Sequence, residues 1–317
     1  MTGAVWALGS GLGFGLFQSV NRRALAGMDV ALSTFIQLVV SAIVLGLVSI
    51  LTQDVSLIAS APAEALLAFA LVGFIHFFVG WTLLNAAQKL LGAARTGPLL
   101  ATAPLFGAVV AAVWLREVPT ALTVVGMGLT VGGVLVLSGE RAAPPADGTV
   151  VRHEVPATRA AVATTTPVRH RLGILAALGT ALSWAVSPIF IREGLDGLAS
   201  PLLGVTVSMV ASAAAFGVVL AVTRPAFPTR GVTGAAMSWK VLAGLLVGVA
   251  TWFRWIALDL TTVAVVLSIN TISVPTVLLL APLVMGRHHE RVTARLWLGA
   301  GLVVAGSLVL IVKGPRT

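Results

Sequence analysis

Ten runs of about twenty mostly apolar residues follow one another along this chain, at roughly 3–21, 31–51, 64–86, 94–115, 119–138, 172–191, 201–223, 240–259, 262–285 and 293–313. About twenty such residues make a helix long enough to cross the hydrocarbon core of a bilayer. The runs are too long for strands and do not alternate. In lipid a helix satisfies its own N–H and C=O groups, so the runs are read as helices. Composition closes the soluble alternative: only 10% of residues are charged, against about a quarter in a soluble domain. The first run lacks the basic flank of a signal peptide, and a related segment recurs at 172–191, so it is expected to remain as a span.

The two halves of the chain resemble each other. "EVPTALTVVGMGLTVGG" (117–133) has the same pattern of acid, threonine and three glycines as "ERVTARLWLGAGLVVAG" (290–306). "GSGLGFGLFQSVNRRALAG" (9–27) sits against "GTALSWAVSPIFIREGLDG" (179–197), pairing Phe14 with Trp184 and Arg22 with Arg192. Trp81 and Ala86 pair with Trp252 and Ala257, and Pro104 pairs with Pro275. Each half holds five runs, an odd number, so the second half must enter the membrane from the opposite side. The expected fold is an all-α integral membrane protein, ten transmembrane helices as two inverted five-helix repeats. The repeats are expected at 1–138 and 172–317. Residues 139–171, rich in Pro, Ala, Thr and Arg, are expected to be a flexible linker outside the bilayer. Two equivalent halves that can exchange shapes predict alternating access.

An aromatic–x4–Ala element late in the third helix, a proline in the fourth, a glutamate about thirteen residues on and a glycine-rich fifth helix resemble the EamA unit of the drug/metabolite transporter superfamily. The residues are Trp81, Ala86, Pro104, Glu117, Gly126 and Gly133, then Trp252, Ala257, Pro275, Glu290, Gly299 and Gly306. The second half departs slightly, with fourteen rather than twelve residues between proline and glutamate. The resemblance spans nearly all of the chain outside the linker. It implies a ten-helix carrier in the cell membrane that moves small metabolites, amino acids or drugs, often outward.

Polar side chains inside spans are costly and face a cavity or a partner. The candidates for substrate contact are Gln18, Gln37, His76, Trp81, Asn85, Ser187, Thr206, Trp252, Arg254, Asn270 and Ser273. Asn and Gln both donate and accept, which suits zwitterions, or they bond between helices. Trp81 and Trp252 occupy equivalent places and are expected to wall a cavity or to pack. Arg254 is open to three roles: snorkelling to the surface, pairing with Asp259, or meeting an anionic group. Pro104, Pro188 and Pro275 each remove a backbone donor and are candidate hinges or gates. Gly126, Gly128, Gly133, Gly299, Gly301 and Gly306 are expected to let helices five and ten approach closely. Thr120 and Thr293 are positioned to cap those helices.

Cysteine is absent, so Cys-bound metals are excluded. His288 and His289 are too close together to share a metal comfortably, and no cofactor, metal or catalytic residue is expected. P-loop and dinucleotide fingerprints are missing. The net charge of +9 is spread over connections, which argues against nucleic acid as a partner. The expected partners are a small-molecule substrate and the bilayer. A coupling proton has one candidate carrier, His76, because all eleven acids fall in loops or at helix ends. Arg116, Arg192, Arg254, Lys313 and Arg316 lie toward the side of the termini, against fifteen basic residues toward the other side. That bias puts both termini outside the cytoplasm; the family resemblance puts them inside. A membrane-embedded enzyme and a lipid-handling or structural membrane protein are the competing functions.

Overall fold

The computed structural model describes residues 2–25, 28–114, 121–138, 167–223, 232–261, 263–286 and 292–312. Among these the chain is helical, with no strand. In the first half the elements are α1 (Thr2–Leu25), α2 (Val30–Thr52), α3 (Ser56–Ser60), α4 (Ala63–Val72), a π-helical segment (Gly73–Val79), α5 (Gly80–Leu91), α6 (Ala93–Leu100), α7 (Ala103–Trp114) and α8 (Ala121–Ser138). In the second half they are α9 (Pro167–Gly197), α10 (Pro201–Thr223), α11 (Gly234–Leu260), α12 (Val263–Asn270), α13 (Ser273–Met285) and α14 (Ala294–Val312).

Five stretches are long and apolar enough to cross a membrane: Val30–Thr52, Ala63–Leu91, Pro167–Gly197, Pro201–Thr223 and Gly234–Leu260. Two of the ten expected runs are divided, at prolines expected to kink or unwind them. The fourth run is divided into α6 and α7 at residues 101–102, and the ninth into α12 and α13 at 271–272. Proline is the cause. Pro104 has no N–H for the carbonyl of Leu100, so Leu105 N–H turns to Thr102 O instead (2.9 Å). The carbonyl of Ala101, left without its helical donor, accepts Ser307 Oγ from α14 at 2.5 Å. Pro275 likewise withholds a donor from Thr271 O, which takes Val274 N–H at 3.0 Å. Pro188 behaves differently: α9 runs through it unbroken.

Exposed apolar side chains form a belt around the bundle, among them Ile43, Leu47 and Ile50 on α2, Leu175, Leu182 and Ile189 on α9, and Leu279 and Leu283 on α13. Such a surface suits lipid and would drive aggregation in water. The linker residues 139–166, and Glu117, Thr120 and Glu290, lie outside the described residues. Residues 167–171, expected in the linker, are the first turn of α9, where proline's fixed φ suits the opening position of a helix.

Helix contacts come in matched pairs across the halves. α1 packs along α11 and against α13; α9 packs along α4 and α5 and against α6 and α7. α2 packs on both α10 and α11, and α10 on α2, α4 and the π segment. The last helices of the halves, α8 and α14, pack on each other. At their crossing a Cβ on Gly133 would meet Gly299 O and Val303 N at 2.8 Å, and one on Gly306 would meet Gly126 O at 2.7 Å. Gly128 and Gly301 have nothing within 4 Å and do not take part. Two residues turn a helix by about 200°, so in a Gly-x-Gly pair one member faces away when the other faces the partner. Thr293 caps α14, accepting Leu296 N–H on Oγ1 at 3.2 Å.

Candidate functional site

The two broken helices meet at a cavity in the middle of the bundle. Phe14 and Gln18 reach it from α1, Leu100, Ala101, Ala103 and Pro104 from the α6–α7 break, and Asn270, Thr271 and Ser273 from the α12–α13 break. Trp184 of α9, Arg254 of α11 and Leu267 of α12 complete the lining, around about 550 Å³ of space that includes the open mouth. Phe14 and Trp184, equivalent in the two halves, touch across it with ring centroids 5.8 Å apart. No lining residue is acidic.

Arg254 is buried, whereas Asp259 is exposed on the last turn of the same helix. Five residues turn a helix by about 140°, so the two lie on different faces, and the reading of an Arg254–Asp259 pair is corrected. Snorkelling is corrected as well, since the side chain is only 3% exposed. The guanidinium instead approaches the carbonyl of Trp184, Nη2 donating at 3.4 Å. That carbonyl is available because Pro188, four residues on, has no N–H to give it. Ser187 Oγ donates to the same oxygen at 3.4 Å. Arg254 Nε has no partner, and neither do Gln18 Oε1, Asn270 Oδ1 or Trp184 Nε1, all of them buried atoms. The cavity thus presents unmet donors from a cation and an indole, and unmet acceptors from two amides. A molecule carrying both an acceptor-rich anionic group and a donor matches that set.

His76 stands behind this wall. It sits in the π segment, a form of helix that often marks functional sites. Its Nδ1 is 2.7 Å from Ser187 Oγ, and its ring stacks on Trp184 with centroids 5.4 Å apart. Glycines bracket the segment: a Cβ on Gly73 would strike Ser208 O of α10, and one on Gly80 would lie 3.1 Å from Trp184 Nε1.

The remaining sequence candidates lie elsewhere. Trp81 is fully buried against Phe77 (centroids 5.0 Å), and Trp252 packs near Phe253 (6.1 Å); neither lines the cavity. Thr206 bonds Ser49 between α10 and α2 at 2.9 Å. Gln37 and Asn85 join a second polar cluster with Asn21, Thr34, Gln88 and Lys240. Sequence alone does not mark Asn21, Gln88 or Lys240 as site residues. Lys240 stands at the edge of its run and counts as connection charge in sequence, yet it is fully buried. Removing it and Arg254 from the orientation count takes one from each side and keeps the bias.

No curated protein matches the chain. A solved structure described only as "Crystal structure of protein" matches over 98% of this chain and 97% of its own, with a TM-score of 0.65 and 17% identity, and so shares the fold. The model of the EamA-like transporter family matches twice, over residues 1–139 and 171–312. The two matches end with the two helices, α8 and α14, whose glycines meet. This chain belongs to the EamA-like transporter family and is a multi-pass membrane protein.

Proposed function

We propose that the protein is a secondary carrier in the cell membrane, an exporter or exchanger of small polar or amphipathic metabolites such as amino acids. It works by alternating access between two inverted five-helix repeats. The observation that carries this reading is Arg254: a buried cation on the wall of the central cavity with an unpartnered Nε and no acidic residue in the lining. Arg254 takes the carboxylate of an amino acid, and Gln18 Oε1 and Asn270 Oδ1 accept from its ammonium group. Several features support the two-repeat mechanism. The helix breaks lie at equivalent places, 101–102 and 271–272, and the helix contacts of each half mirror those of the other. Discontinuous helices at the centre of a bundle are where carriers hold substrate, with backbone groups released from helical bonding.

Purified protein in liposomes preloaded with amino acids should take up radiolabelled amino acids from the outside with saturation. Linear, non-saturable entry across a panel of amino acids, organic anions and cationic drugs would remove the carrier reading.

His76 tests the coupling proton. Its Nδ1 is committed to Ser187 and its ring to Trp184, so it serves here as a wall that holds Trp184 in place. His76→Gln should slow uptake several-fold yet keep the shape of the pH dependence between pH 5 and 8. A pH profile that becomes flat in the variant would assign the proton to His76.

A further inference from the structure

Arg254 is one of two buried cations on α11. Lys240 precedes it by fourteen residues, about 21 Å along the helix axis, and is 0% exposed. Its Nζ donates to Asn21 Oδ1 on α1 at 2.5 Å and to Gln37 Oε1 on α2 at 2.6 Å. Asn21 Nδ2 in turn donates to Asn85 Oδ1 and Gln88 Oε1 on α5, both at 2.7 Å. The cluster therefore ties one helix of the second half to three of the first. On α1 it begins one turn beyond the cavity lining: Asn21 follows Gln18 by three residues.

We propose that Lys240, Gln37 and Gln88 form a second anion-binding site, closed in this conformation, that takes the carboxylate of the transported molecule when α1 and α11 part. The proposal rests on the carrier reading above. Its basis is a surplus of donors. Lys240 finds only neutral amide oxygens, and an ammonium held without a counter-charge is a costly way to join helices compared with an apolar side chain. Gln37 Nε2 and Gln88 Nε2 are buried and have no partner. Three donor-bearing groups thus converge with only amide side chains, and no carboxylate, as their partners. Of the charged residues next to the cluster, Arg23 on α1 lies over the Trp239 ring (4.8 Å) and Lys89 on α5 donates to Met28 O (2.6 Å). Among the described residues the one acid at this end, Asp29, is engaged as the cap of α2, accepting Ala31 N–H at 2.8 Å. An incoming carboxylate would therefore meet a positive field and replace the amide oxygens on Lys240.

The two halves differ here. The offset of 171 residues that pairs Trp252 with Trp81 pairs Lys240 with Phe69 and Arg254 with Leu83. Phe69 is fully buried, 5.5 Å from the Trp255 ring. Lys240 thus sits among amides, whereas its equivalent Phe69 sits against a tilted aromatic ring.

The chain has no cysteine, so a single thiol at Thr34, whose Oγ1 accepts from Asn85 Nδ2 (2.9 Å), reports on the cluster alone. In liposomes under exchange with alanine, Thr34→Cys should react with both sulfonatoethyl and trimethylammonioethyl methanethiosulfonate. The anionic reagent should be favoured by about tenfold, the order expected of one charge acting at about 6 Å in water on reagents of opposite sign. Adding Lys240→Met should abolish the preference, and adding Lys240→Arg should keep it. Acetate should slow the reaction, and ethanolamine should not. The proposal falls if neither reagent reacts, which would make Lys240 a fixed pin between helices. It also falls if Lys240→Met keeps the preference, or if acetate gives no protection. Labelling does not depend on measured flux, so any of these results leaves the carrier reading intact. Conversely, absent saturable uptake with charge-selective labelling preserved would remove the carrier reading and keep the anion site.

Discussion

Arg254→Gln should lower saturable uptake of amino acids by about 100-fold while the protein remains folded. The bond from Arg254 to Trp184 O is long, 3.4 Å, and Ser187 Oγ donates to the same carbonyl, so little structure depends on the guanidinium. The charge is another matter. With no acid in the lining, removing Arg254 leaves a substrate carboxylate buried among amides and aromatic rings. A 100-fold loss corresponds to about 2.7 kcal/mol, at the low end of what truncating one partner of a buried, hydrogen-bonded charge pair costs. Arg254→Lys should recover about half of the loss on a logarithmic scale, because lysine restores the charge but not the two-pronged geometry. Initial rates of uptake in liposomes, with size-exclusion profiles of each variant, check both. Full activity in Arg254→Gln would dismiss Arg254 as the substrate's anchor.

The second large effect is expected at the crossing of α8 and α14. Gly306→Leu should cost several kcal/mol and prevent isolation of monodisperse protein. A side chain there would meet Thr130 N and Gly126 O, backbone atoms that cannot turn aside as a side chain can. Ordinary overpacking costs about 1–3 kcal/mol because flexible neighbours yield; here the helices themselves must separate. Gly301→Leu, five residues earlier on the same helix, should change thermal stability by no more than about 0.5 kcal/mol, because its position opens on space. Thermal unfolding followed by intrinsic fluorescence distinguishes the two. Equal behaviour of the two variants would contradict the packing described.

The sequence makes the scaffold legible because its signals are local. Long apolar runs announce helices, and repeated glycines at 126, 133, 299 and 306 mark a close crossing. Pro104 and Pro275 locate the two helix breaks to within four residues, since loss of an N–H acts on the carbonyl four residues back. What was hidden depends on residues far apart in the chain. Lys240 and Asn21 are separated by 219 positions, so nothing near Lys240 tells it from a connection charge. A signal did exist in Asn21, Gln37, Asn85 and Gln88: four amides in or just after the first three apolar runs, too many for lipid-facing positions. Arg254 was harder still. Its burial depends on a carbonyl that Pro188 sets free on another helix. The Trp81 and Trp252 pair misleads for the opposite reason: equivalent positions in a repeat need not face the shared cavity. Trp184 and Phe14, also equivalent, are the pair that does.

The length of α9 has a consequence for how this protein sits in its surroundings. Thirty-one residues make a rod of about 46 Å, against a hydrocarbon layer about 30 Å thick. To hide wholly within that layer the rod would have to lean by about 50°, outside the range of roughly 0–40° seen for such helices. Part of it must therefore stand clear of the oil, and the exposed Arg169 and Arg171 in its opening turn mark that part. A thicker membrane draws more of this mast inward, and a thinner one lets it rise. The same helix carries Trp184 on the wall of the central chamber.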